Sequence, residues 1–109
     1  MVRVLTKAAL SEPRKKLVEL MQEINFGCIY RLEVLHGEPV INPLPRVEYE
    51  VKFGGDNSPR PERDTDNFLL KTQVVELFQH FDRLGNGTIE VLEIKHGLPF
   101  RMMVAGTAA

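Results

Sequence analysis

Apolar residues recur along this chain in two rhythms, one of a helix and one of a strand. Leu17, Leu20, Met21 and Ile24 stand three, one and three residues apart, which is the spacing of a single helix face. Ser11 ahead of them is a good N-cap, and Glu12 and Pro13 fill the first turn, where a missing N–H costs nothing. Asn25-Phe26-Gly27 ends the helix, with Gly27 expected in the left-handed conformation. The rhythm then shortens to two. Cys28, Tyr30, Leu32 and Val34 alternate with Ile29, Arg31, Glu33 and Leu35. The first set is the cleaner apolar face, so a half-buried strand is predicted, with Cys28 as a small core residue. His36-Gly37 suits a type I′ turn, which needs positive φ at both central residues. Glu38 to Ile41 reads as the return strand, at an edge or starting late because Pro39 has no N–H to donate.

Val47, Tyr49, Val51 and Phe53 alternate with Glu48, Glu50 and Lys52, the clearest strand signal in the chain. Residues 54–65 are Gly, Pro and polar, and read as a flexible loop. Asp66 is expected to cap a second helix. Leu70, Val74, Leu77 and Phe81 line its apolar face, widened by Phe68, Val75 and Phe78. Residues 1–10 suit a frayed arm or a short strand through Val2 and Val4.

The two halves share a pattern. LVELMQEI (17–24) matches VVELFQHF (74–81), pairing Val18 with Val75 and Leu20 with Leu77. After a short insertion, GCIYRLEVLHGEPV (27–40) matches GTIEVLEIKHGLPF (87–100), down to the His-Gly turn and the Pro that follows. One helix on one hairpin buries too little apolar surface to be stable, whereas two units can cover each other. The predicted class is therefore α+β: two helix-plus-β-hairpin repeats forming a mostly antiparallel sheet, with both helices packed on one face. The repeats span about 12–53 and 66–104 of a single domain, 1–109, joined by the 54–65 loop. Leu20, Leu32, Leu77, Phe81 and Leu92 are expected to be buried.

The stretch KLVELMQEINFGCIYRLEVLHGEPVI resembles the small bacterial YezD-like proteins, with their short helix, "fG" turn, strand and "hG" hairpin. It covers about a quarter of the chain, and about half when the second copy is counted. The resemblance implies a fused pair of such units in a bacterial protein. It carries no active site to transfer.

Composition narrows the picture. The chain has 109 residues, 43% apolar and 27% charged, which fits one ordinary globular domain. A net charge of -1 disfavours a dedicated nucleic-acid binder. One cysteine allows neither an internal disulfide nor a Cys-rich zinc site, and suits the cytoplasm. No apolar run approaches the ~20 residues of a membrane span, so no membrane partner is expected. Met1 to Leu10 lacks the apolar core of a signal peptide.

The sharpest chemical signal is FQHFDRLGNGTIEVLEI (78–94), which is similar to an EF-hand entry helix and loop. Counted from Asp82, Asn86 takes position five, Gly87 six, Glu90 nine and Glu93 twelve, so four calcium ligands stand in place. Against this, Leu84 cannot ligate at position three, and Gly97 and Pro99 leave no room for an exit helix. The first copy has no matching ligands. His36 and His96, each three residues after a glutamate, would form a metal or acid–base pair only if the turns met. Arg14, Lys15 and Lys16, with Arg60 and Arg63, could touch nucleic acid, but read first as a solvated face. No triad or paired-carboxylate pattern stands out. The leading reading is a non-catalytic interaction or oligomerisation module, with a protein partner or a homo-oligomer, pairing through an exposed strand edge. The alternatives are a calcium-binding protein using Asp82, Asn86, Glu90 and Glu93, then a nucleic-acid-binding accessory protein.

Overall fold

The structure is a computed structural model that describes residues 6–54 and 71–105. Helix α1 (Glu12–Ile24) starts at Ser11, whose hydroxyl oxygen accepts the Arg14 N–H at 3.4 Å. Strands β1 (Gly27–Leu35), β2 (Glu38–Pro39) and β3 (Arg46–Tyr49) follow. Helix α2 (Thr72–Leu84) then leads into β4 (Gly87–Lys95) and β5 (Leu98–Ala105). The elements recur at an offset of 60 residues: Glu12 and Thr72 open the helices, Gly27 and Gly87 the central strands, Glu38 and Leu98 the returns.

Strands β1 and β4 lie antiparallel at the centre of the sheet, Gly27 opposite Ile94 and Val34 opposite Gly87. β5 covers the far side of β4. β3 and β2 divide the far side of β1, β3 against Gly27–Tyr30 and β2 against Val34–Leu35. The class is α+β, with two helices and a mostly antiparallel sheet of five strands. Leu17, Met21, Leu77 and Phe81 of the helices share one core with Ile29, Leu32, Ile89 and Leu92 of the sheet.

The strand face differs from the sequence expectation. Ile29, Leu32 and Val34 are buried in β1, and Ile89, Leu92 and Ile94 in β4, so the inward parity changes midway along each strand. In β1 the change falls at Arg31, whose φ is +53°. In β4 it falls at Glu90, where the register with β5 slips by one residue. An extra residue reverses the alternation from there on. Cys28 and Tyr30 consequently lie on the open face of the sheet, and Cys28 is not a core residue.

Other boundaries shift for local reasons. α2 begins at Thr72 with Lys71 in the N-cap position. Asp66, the expected cap, lies outside the described residues, as do Phe68, Leu70, Val2, Val4 and all of the 54–65 loop beyond Gly54. β3 stops at Tyr49 because β1, its partner, begins at Gly27; Val51 and Phe53 beyond it are exposed. The return strand ends at Pro39, although the Val40 N–H still donates to the Glu33 carbonyl at 2.8 Å. Burial places Leu17, Val18 and Met21 in step with Leu77, Phe78 and Phe81, so the helices match at the same 60-residue offset as the strands, without an insertion. Leu20 is accordingly only half-buried, and His80 at the equivalent place is exposed.

Both His-Gly turns take the expected form, with φ of 53° and 76° at His36-Gly37 and 56° and 73° at His96-Gly97. Each turn docks on the other unit's helix end. The Gly37 N–H donates to the Gly85 carbonyl at 2.8 Å, and the Gly97 N–H to the Asn25 carbonyl at 2.9 Å. The left-handed residue after α1 is Asn25 (φ 64°), not Gly27. Gly27 is required instead by crowding: a Cβ there would sit 2.0 Å from the Glu48 carbonyl oxygen.

Candidate interaction edge

Among the described residues the helices cover one face of the sheet, which leaves an open face and two edges. The edges are unlike. On the β1 side, β2 has two residues and β3 four, and Pro39, Pro43 and Pro45 interrupt the line between them. Charged residues Arg46 and Glu48 alternate along β3. Such an edge is poorly suited to further pairing. β5, on the other side, runs eight residues, and among the described residues no strand pairs with its outer side.

β5 is also apolar. Phe100 is 58% exposed, Met103 64% and Val104 42%. Its single charge, Arg101, holds Glu93 on β4 with Nε–Oε1 2.9 Å. The Lys95 ammonium lies 4.0 Å from the centre of the Phe100 ring. Between β5 and α2 runs a groove of about 440 Å³, floored by Leu77, Pro99, Met102 and Val104 and rimmed by Glu76 and His80. A second groove, about 500 Å³, lies between the end of α1 and β3, lined by Leu20, Ile24, Phe26, Val47, Tyr49 and Val51.

On the open face, Cys28 stands between Glu48 and Glu93 across the strands, and Tyr30 between Arg46 and Val91. The Tyr30 hydroxyl donates to Glu48 Oε1 at 2.7 Å. That bond, reinforced by the Cys28 thiol, pushes the phenol pKa up to about 12.

The four candidate calcium ligands are not gathered round a point. Asp82, on α2, takes the Arg14 guanidinium at 2.6 Å. Asn86 Oδ1 accepts the His36 backbone N–H at 3.0 Å. Gly87 opens β4, so Glu90 and Glu93 belong to an extended strand, Glu90 exposed and Glu93 bound to Arg101. The EF-hand spacing is thus a helix-to-strand junction. Among the described residues, no three His, Cys, Asp or Glu side chains form a group that could hold a metal.

The histidine turns do not meet. His36 sits beside Asn86 and His96 beside Phe26, with ring centres 4.7 Å apart in the latter pair. The nine residues of β1 lie between them, about 30 Å at the rise of an extended strand. Arg14 is not a solvated cation. Its Nη2 donates to the Gly37 carbonyl at 2.8 Å as well as to Asp82, its Nε lies 3.1 Å from Glu38, and the guanidinium stacks 4.9 Å over Phe78. Lys15 pairs with Glu12, and Lys16 is exposed. Arg60 and Arg63 lie outside the described residues. The sequence pointed to an exposed edge without locating it; the run LPFRMMVA, rich in exposed apolar residues and free of acids, is the signal that marks it.

Among the described residues no helix is long and apolar enough to cross a membrane. Comparison of the chain with protein-family models, with curated proteins and with solved structures finds no match.

Proposed function

We propose that this protein is a non-catalytic interaction module that binds by strand addition along β5. One observation carries this reading: among the described residues, an eight-residue apolar strand stands with its outer side unpaired, while the opposite edge is short, charged and interrupted by proline. Unpaired backbone N–H and C=O groups in such a row are a template for another strand. The surroundings of Cys28 agree with a non-catalytic role, since a reactive thiolate needs a cation beside it, and Glu48 and Glu93 are its cross-strand neighbours. The 60-residue recurrence supports a duplicated helix-hairpin unit of the kind the YezD-like resemblance implies. A cytoplasmic setting suits the single thiol.

Photo-crosslinking tests the reading. A benzophenone side chain replacing Met103 in the full chain should give protein adducts in the cell, and the same group replacing Tyr49 on the opposite edge should not. Absence of adducts at position 103, or equal yields at the two positions, would count against β5 as the binding edge.

A further inference from the structure

Resting on that reading, we infer that the strand added to β5 is β5 of a second copy, running antiparallel about a twofold axis at Met102. The side chains along β5 select this partner and this register. Register with β4 puts Arg101 beside Glu93 and Met103 beside Val91, on the open face. Met102 and Val104 point to the helix side, Val104 opposite the buried Ile89. The second slip in the β4–β5 register leaves Phe100 as the extra residue between Pro99 and Arg101, and it lines the groove beside α2 together with Pro99.

In an antiparallel pair, residues directly opposite one another share a face. With the axis at Met102, Phe100 of each copy faces Val104 of the other, and Met102 faces its own mate. All three of these contacts are then apolar. On the open face Arg101 meets Met103, so no like charges oppose. Moving the axis to Arg101 would set two guanidinium groups against each other. Moving it to Met103 would remove Phe100 from the strand pairing. Arg101 is already neutralised by Glu93 in its own chain, and the Lys95 ammonium lies over the Phe100 ring at the end of the seam, so no like charges stand directly opposite one another.

The stretch 100–104 contains no proline, so every residue in it keeps its backbone donor. Pairing also brings the two grooves together across the seam, with α2 of each copy as an outer wall. The β2–β3 edge, left outermost on both sides, ends the assembly at two copies. An isologous contact of this kind closes on itself.

Analytical ultracentrifugation of the full chain across the micromolar range tests the inference. The wild type should sediment as a dimer. Phe100→Glu with Val104→Glu sets carboxylates opposite carboxylates at both ends of the seam and should give a monomer. Phe100→Glu with Val104→Lys turns the same two contacts into opposite-charge pairs and should restore the dimer, which happens only in the Met102 register. A monomeric wild type would overturn self-pairing, while strand addition as such would still stand or fall on the adducts at position 103. A dimer that survives the double glutamate change would overturn pairing through β5. Failure of the Glu–Lys variant to dimerise would overturn the register. Should the double glutamate chain lose its helical circular dichroism, Met102→Cys in a Cys28→Ser background replaces it. Mild oxidation should link that chain into a disulfide dimer, and a chain that stays single overturns the axis.

Discussion

Gly27 is the point where α1, β1 and β3 converge, and backbone rather than side chain limits the space. A Cβ there would meet the Glu48 carbonyl oxygen at 2.0 Å and the Tyr49 Cα at 2.7 Å. At Gly87, its counterpart, the three nearest atoms all belong to the Leu84 side chain, the first at 3.0 Å. Gly27→Ala should therefore force β3 off β1 and lower stability by about 1–3 kcal/mol. Gly87→Ala should cost less, because Leu84 can rotate. Denaturant unfolding of the two variants gives the comparison; equal losses would show that the β3 backbone does not limit the space at Gly27. Tyr30 offers a second check at this scale. The neutral phenol donates to Glu48, and ionisation forfeits the bond. What the bond contributes is thus fully present below the unfolded phenol value of roughly 10 and is lost as pH rises through about 12. In a Tyr49→Phe background, the ultraviolet phenolate signal should have its midpoint near 12. Glu48→Ala should bring it down toward roughly 10.

Helix faces and turns were legible in the sequence because each rests on local chemistry. Ser11 caps, His36-Gly37 and His96-Gly97 turn, and Leu17, Met21, Leu77 and Phe81 point inward as their spacing requires. The strand interiors were not, because a single extra residue reverses every side chain beyond it. Period-two reading of 28–35 chose Cys28 and Tyr30, whereas the bulge at Arg31 turns Ile29 inward with Leu32 and Val34. The recurrence of Ile29, Leu32 and Val34 as Ile89, Leu92 and Ile94 carries that information, but only once the units are aligned at 60. Part of the edge was legible too: Pro39 left β2 as an edge strand or a late-starting one, and it is an edge strand, while the place of β5 depends on strand order, which is non-local. Helix alignment makes a testable contrast. Leu77 is 4% exposed and belongs to the core, while Leu20, matched to it in the sequence, only packs against the rim. Leu77→Ala should cost about 2–5 kcal/mol. Leu20→Ala should cost a smaller amount, about 1–2 kcal/mol. Thermal unfolding of the pair separates the 60-residue register from the 57-residue one, in which the two losses would be alike.

For the molecule as a whole, protection should follow strand order. β1 and β4 have a strand on each side, and their side chains build the floor of the core. Opening them requires global unfolding, so their amides should exchange slowest at every protein concentration. Among the described residues β5 is held on one side alone, with no strand against the N–H groups of its outer side in a single copy. Pairing with a second copy gives those amides acceptors, and the population of the pair rises with concentration. Hydrogen exchange read by mass spectrometry should therefore show peptides from Leu98–Ala105 becoming more protected as the protein is concentrated. Peptides from Arg46–Tyr49 at the opposite edge should stay unchanged. Concentration-dependent protection at Arg46–Tyr49 instead would mean that the proline-interrupted edge is the one that associates, and that the exposed side chains of β5 serve another contact.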